Sequence, residues 1–111
     1  MDVTVTTSKD WWSGTNDNIY LGMKYTDGTK SEFLLDTDWV DDFEPGDKRT
    51  YKVFSMKKQS EVTEVYLRKS GIDHWKVQAL KLTTGGEVKL DKTINQWIKT
   101  SSDSWKTSVS W

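Results

Sequence analysis

Residues 19–28 read IYLGMKYTDG, and they carry the pattern from which the architecture follows. Apolar side chains occupy every second position from Ile19 to Tyr25, with Gly22 and Lys24 among the alternate positions. Because successive side chains of a strand point to opposite faces, this period of two predicts a β-strand with one buried face. Asp27-Gly28 then supplies a tight turn into the next run.

The same alternation recurs along most of the 111 residues, with turn-forming residues between the runs. About eight short strands joined in this way predict an antiparallel sandwich or barrel, and one polar face per strand favours the sandwich. A change of phase between Ala79 and Leu80 predicts a bulge. We expect one domain over residues 1–111, with Trp105, Val109 and Trp111 in a last strand. The predicted core is Ile19, Leu21, Phe33, Leu35, Phe43, Val53, Val65, Leu67, Trp75, Val77, Leu80 and Trp97.

Composition excludes several classes of function. The chain has no cysteine and one histidine, so disulfides, thiol nucleophiles and zinc–thiolate sites are excluded. Its 16 basic and 17 acidic residues give a net charge of −1, without the basic field typical of nucleic-acid binding. No Gly-x-Ser-x-Gly element accompanies the histidine, and we expect no catalysis. Seven tryptophans supply large side chains for a core or a binding surface.

One segment concentrates negative charge. Residues 36–47 hold six carboxylates in twelve positions and no Lys or Arg. Ca²⁺ takes six to eight oxygen ligands, many of them carboxylates, so this segment is a candidate calcium site. The spacing of an EF-hand is absent. The alternative, a solubilising acidic loop, stays open on composition alone.

Two adjacent tryptophans, Trp11 and Trp12, precede the Gly turn at residues 13–14. In extended chain they cannot both face the core. Tryptophan at a loop tip is favoured at a lipid headgroup interface. The alternative is that one of them lies in the core and the other packs beside it. Asp73-His74, before Trp75, are a surface pair or a contact to a metal ion.

Five segments resemble one known family. They are residues 12–21 (WSGTNDNIYL), 41–47 (DDFEPGD), 64–69 (EVYLRK), 73–75 (DHW) and 95–98 (NQWI), in order between about Val3 and Ile98. Together they resemble the PLAT/LH2 (lipoxygenase homology) family. Residues 91–98 (DKTINQWI) are especially similar to the C-terminal PLAT domains of clostridial phospholipase C toxins.

This resemblance implies an eight-stranded antiparallel β-sandwich of two four-stranded sheets, similar to C2 domains. It implies a non-catalytic module that docks on membrane lipid headgroups with Ca²⁺ held between loops. The ligands carried over are Trp12, Gly14, Thr15, Asn16, Asp17, Asp36, Asp38, Asp41, Asp42, Asp73 and His74. At Trp12 only the backbone carbonyl can serve, because tryptophan has no carboxylate.

The expected membrane-contacting side chains are Trp11, Trp12, Trp39 and Ile72. We expect the module to belong to a larger bacterial protein that is secreted, with a tethered enzyme domain and a peripheral membrane position when calcium is bound. Two alternatives stay open: a protein–protein interaction module that uses exposed tryptophans, and a sugar-binding sandwich with tryptophan platforms.

Overall fold

The computed structural model describes residues 1–10, 12–36, 43–54 and 59–109. Within these ranges the chain forms eight β-strands and one short 3₁₀ turn at Gln59–Glu61. The strands are β1 (Asp2–Thr7), β2 (Ile19–Tyr25), β3 (Lys30–Leu35), β4 (Lys48–Lys52), β5 (Val62–Lys69), β6 (Trp75–Thr84), β7 (Glu87–Ile98) and β8 (Ser104–Ser108). No helix in the described ranges is long and apolar enough to span a membrane.

The strands form two four-stranded sheets, in the orders β4-β1-β6-β7 and β3-β2-β5-β8. Every described strand pair is antiparallel. The fold class predicted from the alternating pattern is therefore confirmed. β8 contains Trp105, as expected, but it ends at Ser108, so Val109 follows the strand, and Trp111 lies outside the described residues. In β2, the inward positions of the alternation, from Ile19 to Tyr25, are all buried.

The core lies between the inner faces of the two sheets. Trp75 is completely buried, and its indole N–H donates a hydrogen bond to Thr7 Oγ1 over 3.0 Å. Phe43 packs edge-on against Trp75, with ring centroids 5.4 Å apart, and stacks on Tyr51 at 5.9 Å. This satisfied indole lets a large aromatic side chain fill the centre of the sandwich without leaving a buried donor unpaired.

The bulge predicted near Leu80 is present. Thr6 and Thr7 of β1 pair with Ala79 and Val77 of β6, so Gln78 is an extra residue on β6. The extra residue shifts the alternation by one position, which is why both Val77 and Leu80 face the core.

Two predicted core residues are corrected by the structure. Trp97 is only half-buried, and its neighbour Ile98 occupies the core position instead. Val77 and Ala79 pair with Gln96 and Thr93, so β7 carries an extra residue at this point, beside Asn95 with a φ of +51°. Leu90 and Ile98 are both buried on β7, so its even-numbered positions face the core on both sides of the bulge, and Trp97, opposite Lys76, faces outward.

Phe33 is also only half-buried, although it packs against the core cluster. It lies on β3, an edge strand of its sheet, where neighbours cover one side only. The next residue, Leu34, is 50% exposed on the outer face. The other ten predicted core residues are buried as expected.

Candidate calcium and lipid site

Three segments connect strands at one end of the sandwich: loop 1 (residues 8–18), loop 2 (residues 36–47) and loop 3 (residues 70–74). Their described residues, 8–10, 12–18, 36, 43–47 and 70–74, meet there. Backbone hydrogen bonds join loops 1 and 2, from Gly46 N to Ser8 O and from Thr15 N to Phe43 O, both at 3.0 Å. Loop 3 is joined to loop 1 where Ser70 N donates to Asn18 O over 2.9 Å.

Asp73 is the main contact between loops 1 and 3. Its Oδ2 atom accepts hydrogen bonds from Thr15 Oγ1 and from the backbone N–H of Asn16, each at 3.0 Å. The Thr15 hydroxyl oxygen in turn accepts the N–H of Asp17 at 3.0 Å. The structure thus brings together Thr15, Asn16 and Asp73, three of the residues predicted as ligands.

Asp17, also predicted as a ligand, has a different set of partners. Its Oδ2 atom accepts hydrogen bonds from Lys69 Nζ and from the N–H of Asp73, both at 2.9 Å. Lys69 is completely buried, and its ammonium also donates to Gly71 O over 3.1 Å. Sequence reasoning missed Lys69, although it continues the inward alternation of Val65 and Leu67 and so stands at a core position.

Gly14 sits where loop 1 presses on loop 2. A Cβ atom at this position would lie 2.7 Å from Pro45 Cδ and 2.8 Å from Phe43 O. Only glycine allows this close approach. Beside it opens a cleft of about 500 Å³, lined by Lys9, Asp10, Trp12, Gly14, Thr15, Asn16, Glu44, Pro45 and Asp73.

The donor atoms at this end fit a hard cation in kind, because Thr15, Asn16 and Asp73 all carry oxygen donors beside the Gly14 backbone. In the part of the chain that the structure describes, no three Asp, Glu or His side chains are close enough to hold a metal ion. Three of the predicted ligands, Asp38, Asp41 and Asp42, lie outside the described residues. Asp36 follows β3 and is exposed.

Two large apolar side chains stand exposed at the same end. Trp12 is 76% exposed, with a φ of +66°, and Ile72 of loop 3 is 82% exposed. Both line a shallow cleft of about 310 Å³ with Gly14, Asp73, His74 and Trp97. The exposed placement expected for Trp12 and Ile72 is therefore seen, while Trp11 and Trp39 lie outside the described residues.

An ion pair that the sequence did not single out lies beside Trp97 of this cleft. Lys76 forms an ion pair with Asp10 and lies 5.9 Å from the centre of the Trp97 ring. Its hydrogen bond and positive charge lower the pKa of the Asp10 carboxyl. His74 is exposed and meets the edge of the Trp97 ring at 6.4 Å. Trp97 lies here because the alternation of β7 that includes buried Leu90 and Ile98 puts the odd-numbered positions on the outer face.

A separate polar cluster lies on the outer face of the second sheet. Glu32 accepts hydrogen bonds from Arg68 Nε at 2.6 Å and Arg68 Nη2 at 2.8 Å, and from Tyr66 Oη at 2.7 Å. The Arg68 hydrogen bond is the main cause that lowers the pKa of Glu32 from 4.5 to about 2. Burial and the Glu32 carboxylate raise the pKa of Tyr66.

Comparison with known proteins agrees with this geometry. The model of the PLAT/LH2 domain family matches residues 1–110. Phospholipase C of Clostridium novyi is 34% identical over 104 residues, which are 86% of this chain and 26% of that protein. The alpha-toxin of Clostridium absonum superposes with a TM-score of 0.83 at 28% identity, over 97% of this chain and 30% of that one. A coral 8R-lipoxygenase superposes with a TM-score of 0.76 at 21% identity, over 97% and 16%, which shows a shared fold.

The sheet order and the loop-bearing end define a C2-like β-sandwich module. The chain belongs to the PLAT/LH2 domain family, as residues 12–21 and 95–98 predicted. The similarity to clostridial phospholipase C is likewise confirmed. The chain spans about a quarter of the length of the curated relatives that it matches.

Proposed function

We propose that this chain is a non-catalytic module that docks on membrane lipid headgroups in a calcium-dependent manner. The observation that carries the proposal is the meeting of oxygen donors from loops 1 and 3, around Asp73, directly beside exposed Trp12 and Ile72. An ion held at this end would stand next to the side chains that enter the lipid interface.

The proposed ligands are oxygen donors of loops 1 and 3 together with the carboxylates of loop 2. Loop 1 and loop 3 contribute Gly14, Thr15, Asn16 and Asp73, with the carbonyl groups of Trp12 and His74. Loop 2 contributes Asp36, Asp38, Asp41 and Asp42. Bound Ca²⁺ neutralises this acidic end and supplies positive charge for phosphate oxygens of the headgroup.

The aromatic and aliphatic tips act together with the ion. Trp12 presents an apolar ring with a polar N–H, a combination that suits the boundary between headgroups and acyl chains. Ile72 extends the same apolar surface from loop 3. In this proposal Trp11 and Trp39 join them from loops 1 and 2.

The relatives suggest the wider context. The solved coral 8R-lipoxygenase is described as showing calcium activation via a C2-like domain. Several relatives are clostridial phospholipases C, of which this chain matches 26%. We therefore place the module in a secreted bacterial protein, tethered to an enzyme domain and peripheral to the membrane when calcium is bound.

Co-sedimentation with phosphatidylcholine vesicles tests the proposal. The chain should sediment with vesicles in millimolar Ca²⁺ and remain in the supernatant when EGTA replaces calcium. Equal binding in both conditions would remove the calcium dependence. No vesicle binding in either condition, combined with capture of a protein partner without lipid, would favour the interaction module that uses Trp12 and Trp97.

A further inference from the structure

Lys69 is unusual because its charged side chain is completely buried, at the end of β5 where loop 3 begins. Among the charged side chains that the structure describes, it alone is fully removed from solvent. A buried ammonium without a partner costs several kcal/mol, so its partners must compensate for lost hydration. Those partners are the Asp17 carboxylate of loop 1 at 2.9 Å and the Gly71 carbonyl of loop 3 at 3.1 Å.

The carboxylate of Asp17 is likewise held by hydrogen bonds. Its Oδ2 atom accepts hydrogen bonds from both Lys69 Nζ and the N–H of Asp73. Its Oδ1 atom lies where a Cβ on Gly71 would come within 2.5 Å. Gly71 has a φ of +72°, so both its backbone conformation and the space beside it require glycine.

We propose that the Lys69 ammonium does at Asp17 what a bound cation would otherwise do: it holds loops 1 and 3 together before any ion binds. Asp17 is then a positioning residue and not a calcium ligand. We call the pair Lys69–Asp17, with its hydrogen bonds to Gly71 O and the Asp73 N–H, the clamp. The clamp is a property of the calcium-free protein, and only the statement that Asp17 is not a calcium ligand rests on the proposed function.

The clamp has a consequence for the ion site. The Asp73 N–H donates to Asp17 Oδ2, and Asp73 Oδ2 accepts from Thr15 and Asn16, so its carboxylate is oriented in advance. Because these contacts already hold loops 1 and 3, ordering the two loops costs little free energy when Ca²⁺ binds. The negative charge that captures the ion comes from Asp73 and loop 2, since Lys69 already neutralises Asp17.

A double-mutant cycle in EGTA tests the clamp without calcium. Asp17→Asn keeps an oxygen that accepts the Asp73 N–H but leaves the buried ammonium uncompensated. We expect its melting temperature to fall by about 10 °C or more. Asp17→Asn combined with Lys69→Met removes both charges and should recover at least half of that loss.

The matched control is Asp2→Asn, the same change in an ion pair with Lys52 whose side chains are 47% and 78% exposed. It should shift the melting temperature by about 2 °C or less. The clamp is refuted if Asp17→Asn costs no more than this control, or if adding Lys69→Met brings no recovery.

A calcium titration by calorimetry then tests the role of Asp17. The Asp17→Asn/Lys69→Met variant keeps a side-chain oxygen that accepts the Asp73 N–H, so Asp73 stays oriented. It should take up Ca²⁺ with an affinity within about threefold of the parent, whereas Asp73→Asn should lose at least tenfold. If the double variant no longer bound Ca²⁺, Asp17 would be a calcium ligand, and the statement that it is only a positioning residue would be overturned. If the parent takes up no calcium, the proposed function fails, and the cycle in EGTA still decides the clamp.

Discussion

Trp75 and Trp97 are both tryptophans at alternating positions of strands, yet only the first is a core residue. Replacing Trp75 with Ala removes a completely buried ring and the hydrogen bond to Thr7. We expect the free energy of unfolding to fall by about 3–5 kcal/mol. Trp97→Ala should cost about 1 kcal/mol, since the ring is half-exposed. Urea denaturation of both variants measures the difference, and equal losses would contradict the assignment of Trp97.

The substitution Asp42→Asn tests whether loop 2 supplies calcium ligands, as the proposed function requires. Calcium at a hundred times its dissociation constant should stabilise the parent by about 2.7 kcal/mol, because only the folded state binds it. Asp42→Asn should lose most of this gain, while its stability in EGTA holds or rises slightly as carboxylate repulsion is relieved. Thermal melts with and without calcium measure both effects. The control is Asp91→Asn, a change at an exposed residue of β7, and this variant should keep the full stabilisation by calcium.

Glu32 should make stability depend on pH. Its folded pKa is about 2 against an ordinary 4.5, chiefly because of the Arg68 hydrogen bond. The carboxyl of Glu32 therefore binds a proton more tightly in the unfolded chain than in the folded one. The stability that the ionised Glu32 contributes is fully present above pH 4.5 and is lost as pH falls through about 2. Glu32→Gln should cost roughly 1.5–3 kcal/mol at pH 7. Urea denaturation between pH 7 and 2 should show the two proteins converging in acid, and a constant gap would contradict the pairing.

Strand β7 is shaped by the bulge at Asn95, whose φ is +51°. Asn95→Gly should be nearly neutral, because glycine adopts this conformation without strain. Asn95→Val should cost roughly 1–3 kcal/mol, since a β-branched residue is strained there. Thermal unfolding compares the two. Equal stability would mean that the positive φ at Asn95 is not needed for the bulge in β7.

Loops 1 and 3 form an element of their own at the site end. Backbone hydrogen bonds and the contacts of Asp73 and Asp17 join them across more than fifty residues of sequence. The described part of loop 2 is also joined to loop 1, through the backbone hydrogen bonds of Gly46 and Thr15. In the proposed function, an ion therefore meets loops that these contacts already hold in position.

The whole molecule has two different ends, and vesicle binding can distinguish them. Trp12 is at the loop end, whereas Phe54, 80% exposed, follows β4 at the opposite end, where Val53 N donates to Met1 O. Both changes to Ala should leave the melting temperature almost unchanged. Trp12→Ala should weaken binding to phosphatidylcholine vesicles in calcium several-fold, and Phe54→Ala should not. Equal effects in co-sedimentation would contradict docking through the loop end.

Much of the site followed from sequence because it lies on turns between alternating strands. The donors around Asp73 and the exposed positions of Trp12 and Ile72 were predicted from loop chemistry and family resemblance. Lys69 was not predicted, since its partner Asp17 is 52 residues away and only strand pairing brings them together. Lysine at an inward position was the one local signal.

The amino-acid sequence by itself determined the two-sheet sandwich, the inward residues of most strands and the PLAT/LH2 family. It did so because strand periodicity and turn chemistry are local properties of the chain. Only the tertiary structure decided the register of β7 against β6 and the pairing of Lys69 with Asp17. A bulge changes which residues of neighbouring strands lie opposite each other, and a buried charge pairs with whichever partner the strand order places beside it.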